Sequence, residues 1–195
     1  MSRLQGNSIG DLYGWCTENT LTAESSKHKV GVLRGWRAHG STDILDAAVD
    51  IVLCFTTPNL LKNATRQSRG QLPSFFDLDQ TYQLTESGYP VSVFGTVDAS
   101  HAFKLLALGL SRHENEKHIT QLLNMVKTGI SELTNSTWNP QYAMADRADA
   151  IHNALSAVFP NIRKAKCYFH VKKGLRDHKH LFSNEANYRA FETDC

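Results

Sequence analysis

Three strand-like runs follow one another between Asp77 and Leu110 with only tight turns between them, and this narrows the possible folds more than any other feature. From Asp77 to Leu84, apolar Leu78, Tyr82 and Leu84 alternate with Asp77, Asp79, Thr81 and Gln83, which reads as a strand with one polar face. Glu86-Ser87-Gly88 is a turn, and Tyr89, Val91, Val93 and Val97 mark a second strand. Asp98-Ala99-Ser100-His101 predicts a hairpin loop before a third strand from Phe103 to Leu110. A parallel crossover needs roughly a dozen residues or more, so turns this short imply an antiparallel meander.

Beyond the third strand the period changes. Ile119, Leu122, Leu123, Val126, Ile130 and Leu133 lie on one stripe of a helix that Asn135–Pro140 ends. Tyr142-Ala143-Met144-Ala145 is a short apolar run that stops at Asp146, the pattern of a buried strand. A second helix carries Ile151, Ala154, Leu155 and Val158 and stops at Pro160. Ala165, Cys167 and Phe169 alternate with Lys164, Lys166 and Tyr168, predicting a fifth strand, and the polar remainder from Val171 reads as helical. The fold class is therefore α/β: a mixed sheet in the order β-β-β-α-β-α-β-α, with helices on its faces.

Residues 1–72 are less regular and are expected to form a separate preface to a domain spanning 73–195. Thr42 or Ser41 caps a predicted helix through Ile44, Leu45, Ala48, Val49 and Val52, which Pro58 follows. Residues 63–72 read as a linker, and residues 1–30 as poorly ordered.

Composition excludes more than it assigns. The net charge of +2 gives no global attraction to a polyanion, so only local clustering is informative. Cys16, Cys54, Cys167 and Cys195 are widely spaced, which argues against a disulfide framework. No run of about 18 apolar residues exists to cross a membrane, and the opening residues lack the apolar stretch of a signal peptide. A nuclear or cytosolic protein is expected.

Two aspartates hold the positions that chemistry would use. Asp79 stands on the polar face of the first strand and Asp146 at the end of the fourth. In open sheets ligands gather at the carboxyl ends of strands. Two carboxylates meeting there form a hard, oxygen-rich site suited to magnesium or manganese. On spacing alone, the commoner role of such an aspartate is a turn or helix cap, and Asp146 directly precedes a helix. Asp77 shares the face of Asp79. Asp98 reads as a turn residue and Asp149 as a first-turn acid favoured by the helix dipole.

The segment from Asp146 to Pro160, with Ala150, Ile151, Ala154, Leu155 and Phe159, resembles the second-aspartate motif of Mutator-like element (MULE) transposases. Leu78-Asp79-Gln80-Thr81-Tyr82 resembles the first-aspartate motif, and Gly88-Tyr89-Pro90 opens the next strand as it does in that family. Cys167-Tyr168-Phe169-His170 resembles the Cys-x-x-His that follows the second aspartate. The resemblance covers roughly residues 73–180. It implies a ribonuclease H-like fold and metal-dependent DNA cleavage and strand transfer, with Asp79 and Asp146 as catalytic residues and ligands of Mg2+ or Mn2+. Its DNA partner would be transposon ends.

The family also uses a third acid, a glutamate, much further along. Glu185 and Glu192 come too soon after His170 to match it, so a family domain truncated at its C-terminus is expected. The alternative is a catalytically inactive remnant or a domesticated DNA- or protein-binding domain. A truncated sheet would expose apolar surface and favour self-association.

Cys167 and His170 supply half of a tetrahedral set, so zinc is not expected and the role of the pair stays open. Between Asn161 and His180, seven basic residues face one acid, Asp177. Of these, Arg163, Lys164, Lys166, Lys172, Lys173 and Arg176 are the candidate contacts to DNA phosphates. A merely solvated face is the ordinary alternative.

Overall fold

A computed structural model describes residues 8–40, 49–67, 74–81, 84–85, 87–146 and 148–194, with side chains to Ala190. These form an α/β structure around one mixed, eight-stranded sheet. The elements are α1 (Ile9–Asn19), β1 (Gly31–Val32), β2 (Arg37–His39), β3 (Asp50–Thr56), α2 (Pro58–Gln67), β4 (Phe75–Thr81), β5 (Val91–Val97), β6 (Phe103–Ser111), α3 (Glu116–Thr134), β7 (Tyr142–Ala145), α4 (Asp149–Val158), β8 (Arg163–Lys166), α5 (Tyr168–Asp177) and α6 (Glu185–Asp194). A single 3₁₀ turn at Lys179–Leu181 links the last two helices.

The sheet order is β1-β3-β6-β5-β4-β7-β8, with β2 pairing β3 beside that path. β5 runs antiparallel to both β4 and β6, whereas β4, β7 and β8 run parallel. Hence β4, β6, β7 and β8 all point the same way, and their carboxyl ends meet at one end of the sheet. The connections after β4 and β5, residues 82–90 and 98–102, are shorter than the dozen or so residues a parallel crossover needs, so the pairs are antiparallel. Crossovers through α3 and α4 permit the parallel ones.

Alternation along β4 separates two faces. Phe76 and Leu78 are fully buried and join α3 and α4 in the main core. Phe75, Asp77 and Asp79 point the other way. A second, smaller core lies on that other face, where Leu12 and Cys16 of α1 pack with Ile51, Leu53 and Tyr89. It leaves Phe75, Phe103 and Leu108 exposed at 40%, 48% and 38%.

The ends of α3 follow from local chemistry. The Asn115 side chain accepts a hydrogen bond from the His118 amide at 2.9 Å and caps its start. Asn135, left-handed at φ 52°, ends it.

The structure departs from the sequence reading in four places. Residues 41–48, the first part of the expected helix, lie outside the described residues, but Val52 stands in a strand. Ile51-Val52-Leu53-Cys54-Phe55 is nearly buried on both faces, so it lacks the period of two that betrays a half-buried strand. The expected linker is helical as far as Gln67, and its remainder through Leu72 lies outside the described residues, as does the expected boundary at 72/73. Residues 9–19 form a helix held by a capping box between Ser8 and Asp11, rather than a poorly ordered stretch. Finally, the fifth strand ends at Lys166, and Tyr168, Phe169 and His170 begin α5.

Phe76 is the hub of an aromatic cluster, with ring centroids 6.1 Å from Phe94, 5.0 Å from Trp138 and 6.4 Å from Phe159. Phe76→Ala should lower unfolding free energy by ~3–5 kcal/mol in denaturant titration. Phe75→Ala, on the open face, should cost far less. Equal losses would contradict the register of β4.

Candidate active site

The parallel pairing of β4 with β7 builds the site. Leu78 pairs with Ala145, so Asp79 and Asp146 each stand one residue beyond the last shared position, on adjacent strands at the same sheet end. Both side chains reach solvent, at 58% and 39% exposure. Asp146 does not take the cap position of α4, which falls on Ala148.

One imidazole spans the two carboxylates. His170 Nε2 lies 3.8 Å from Asp79 Oδ1, and His170 Nδ1 lies 3.9 Å from Asp146 Oδ1. These are charge contacts when the ring carries both protons, but they are too long for hydrogen bonds. Nδ1 is buried without a hydrogen-bond partner. The ring reaches this position because β8 stops at Lys166 and Cys167 becomes the N-cap of α5. Cys-x-x-His is thus the first turn of a helix that starts at the carboxylate end of the sheet.

Two further acids face the same space. The Asp77 carboxyl is pushed above the usual range, first by burial and then by the negative charge of Asp79; the Leu78 amide and His170 partly oppose this. The Glu114 carboxyl is also raised, first by burial and then by the charge of Asp146. Glu114 lies in the loop after β6. Sequence alone does not place it at the site. The missing signal was strand direction: β6 runs with β4, so its following loop returns to the same end.

Other candidates separate. Asp98 is a turn residue whose Oδ1 accepts from the Ser100 hydroxyl at 2.6 Å and from the Ala102 amide at 3.0 Å, and these contacts, the hydroxyl first, hold its carboxyl well below the usual range. Asp149 sits in the first turn of α4. Cys16 is buried and its thiol is pushed up to about 11, which makes it a poor thiolate. Among the described residues, no three His, Cys, Asp or Glu side chains converge closely enough to enclose a metal ion by themselves.

The basic side chains of the run turn to different neighbours. β8 is an edge strand exposed along its whole length. Arg163 turns toward Tyr142, with 3.1 Å between its Nη1 and the phenol oxygen. Lys164 donates to Ser156 Oγ at 2.7 Å on α4. Lys172 lies over the Tyr168 ring at 5.2 Å. Lys166 and Lys173 instead line a cavity of about 760 Å³ that also includes Asp146 and His170. No helix among the described residues is long and apolar enough to cross a membrane.

The raised Asp77 carboxyl has a pH consequence. Its folded state holds the proton more tightly than its unfolded state, so the stabilising contribution is complete below the ordinary carboxylate range and is lost as pH rises through the raised value. At neutral pH the ionised, partly buried group is a burden. Asp77→Asn should therefore raise the thermal midpoint at neutral pH, with the gain vanishing toward pH ~4, near the unperturbed carboxyl value. A lower midpoint at neutral pH would contradict this.

The family model of the MULE transposase domain matches residues 75–174, just over half of the chain. The matched span runs from β4 into α5 and takes in Asp79, Asp146, Cys167 and His170. No curated protein matches the chain.

Proposed function

The chain belongs to the MULE transposase domain family, and from that premise we propose that it is a transposase-derived domain for metal-dependent cleavage and strand transfer of DNA. The observation that carries the proposal is the placement of Asp79 and Asp146 on adjacent parallel strand ends with His170 against both. The sheet order β6-β5-β4-β7-β8, antiparallel on one side of β4 and parallel on the other, supports a ribonuclease H-like reading of the fold.

The donor set fits a hard divalent cation. Two solvent-reaching carboxylates offer oxygen ligands and leave room for water and substrate, as Mg2+ or Mn2+ requires. Such an ion, when held there, supplies activation of the nucleophile and charge compensation at the leaving oxygen. The chain's own residues do the positioning. Asp79 and Asp146 would act as metal ligands and catalytic residues, and His170 would keep them apart and oriented. Helices α4 and α5 both begin beside the carboxylates without a side-chain cap bond. Their amide groups and dipoles favour a phosphate there. Lys166, Lys172, Lys173 and Arg176 would hold the DNA backbone nearby, with Arg163 and Lys164 further along the edge. Action on DNA makes the nucleus the expected location. The open face bearing Phe75, Phe103 and Leu108 is where copies of the chain would associate.

A second reading is a non-catalytic DNA-binding remnant. It is favoured by the lack, among the described residues, of a three-ligand set at the site.

Calorimetric titration with Mg2+ and Mn2+, beside cleavage of plasmid DNA, separates the two. Asp79→Asn and Asp146→Asn should each abolish metal binding and cleavage. His170→Ala should weaken metal binding by ~10–100-fold, as loss of an orienting partner does. DNA binding without metal uptake or cleavage by the parent chain would support the remnant and overturn the enzymatic reading.

A further inference from the structure

The cavity beside Asp146 carries an inference that rests on the DNA reading above and extends it. It starts at Asp146 and His170 and runs along one face of α5 to the 3₁₀ turn. Its volume, about 760 Å³, lies in the range of sites that hold small organic molecules. Its walls are mixed in a particular way. Val171, Leu175, Leu181 and Phe182 supply apolar surface, while Asp177 and His178 supply polar atoms toward the far end. The Phe182 ring is held edge-to-face on Tyr188, with centroids 5.5 Å apart. Lys166 and Lys173 are balanced by Asp146 and Asp177, so the cavity has no net charge with histidines neutral. The apolar stretch between those charges suits the faces of an uncharged planar group.

Gly174 is the second observation. It stands in the interior of α5 and lines the cavity, and a Cβ built on it meets nothing within 4 Å. Glycine in a helix interior is unfavourable relative to alanine. No protein atom requires its small size. What a side chain there would enter is the cavity.

We propose that this cavity receives an unstacked nucleobase of the DNA strand next to the reacting phosphate, with Gly174 leaving the space and Phe182 offering a stacking surface. The phosphate would lie at Asp79 and Asp146, and the next base would turn into the cavity along α5. Apolar walls accept the faces of the base, and Asp177 and His178 accept or donate at its edges. Extruding a base from a duplex costs its pairing and stacking, and a single strand avoids most of that cost. Single-stranded DNA or a frayed end should therefore bind better than an intact duplex.

The test uses the full chain with Ca2+ in place of Mg2+, and short single-stranded DNA carrying 2-aminopurine, compared with the same strand made abasic at that position. The parent chain should bind the intact strand about tenfold more tightly than the abasic one, the scale of one stacked base, and should change the 2-aminopurine emission. Gly174→Leu fills the cavity from a helix position where leucine is a better helix former. It should erase the difference between the two strands while keeping affinity for the backbone. Gly174→Ala, which adds one methyl group, should reduce the difference less, and circular dichroism checks that both variants fold. Equal binding of intact and abasic strands by the parent overturns the base pocket alone and leaves the DNA reading intact. Undiminished discrimination by folded Gly174→Leu also overturns it. Failure to bind either strand overturns both readings.

Discussion

The backbone pairing of β4 with β7 is the interaction on which the rest of the structure depends. It is the junction between an antiparallel meander and a set of helix-linked parallel strands, and Leu78 opposite Ala145 is its last shared position. Up to and including that point, the inward residues Phe76 and Leu78 are fully buried beneath α3 and α4. The residues just after it are acids in contact with water. A slip of one residue would exchange the faces of β4, placing Asp77 and Asp79 in the core and Phe76 outside. The aromatic cluster around Phe76 therefore fixes the register, and the register fixes the carboxylates.

Bringing acids together has an electrostatic cost that the fold bears openly. Asp77 and Glu114 are both disfavoured as anions, in each case first by burial and then by a neighbouring carboxylate. The compensation present in the protein is modest. Among the described residues it includes the Leu78 amide at Asp77, His170 nearly 4 Å from an oxygen of Asp79 and one of Asp146, and the amide ends of two helices. Stability given up at one end of the sheet is a common property of sites arranged to take a charged ligand. The apolar core lies on the opposite face of β4 and is untouched by it.

Much of this was legible in the sequence, and the exceptions have physical causes. β6, α3, β7 and α4 lie where their periods put them because each is more buried on one side than the other, or is short and wholly apolar, and β5, though buried nearly throughout, still shows Val91, Val93 and Val97 on one set of alternate positions. β3 was misread because burial on both faces erases alternation. The boundary between β8 and α5 was misread for the opposite reason. All four residues of β8 are exposed, and so are Tyr168 and Phe169, so the alternation there reported no buried face. Asp79 could be picked out by its place on the polar face of a strand and Asp146 by its place at a strand end, once the family resemblance joined them. That His170 would bridge them, or that Glu114 would approach Asp146, required strand directions that a single sequence does not state.

β8 also closes the sheet on one side, and among the described residues its outer row of amide and carbonyl groups has no neighbouring strand. Edges of this kind recruit strands from other molecules unless something prevents it. Three of its four residues are Arg163, Lys164 and Lys166, so two copies approaching edge to edge would repel. The guard is electrostatic rather than steric, and it weakens with salt. A polyanion lying along the strand would neutralise it altogether. The same side chains that would attract DNA thus keep the free protein from templating its own aggregation, and the bound state is the one in which that protection is relaxed.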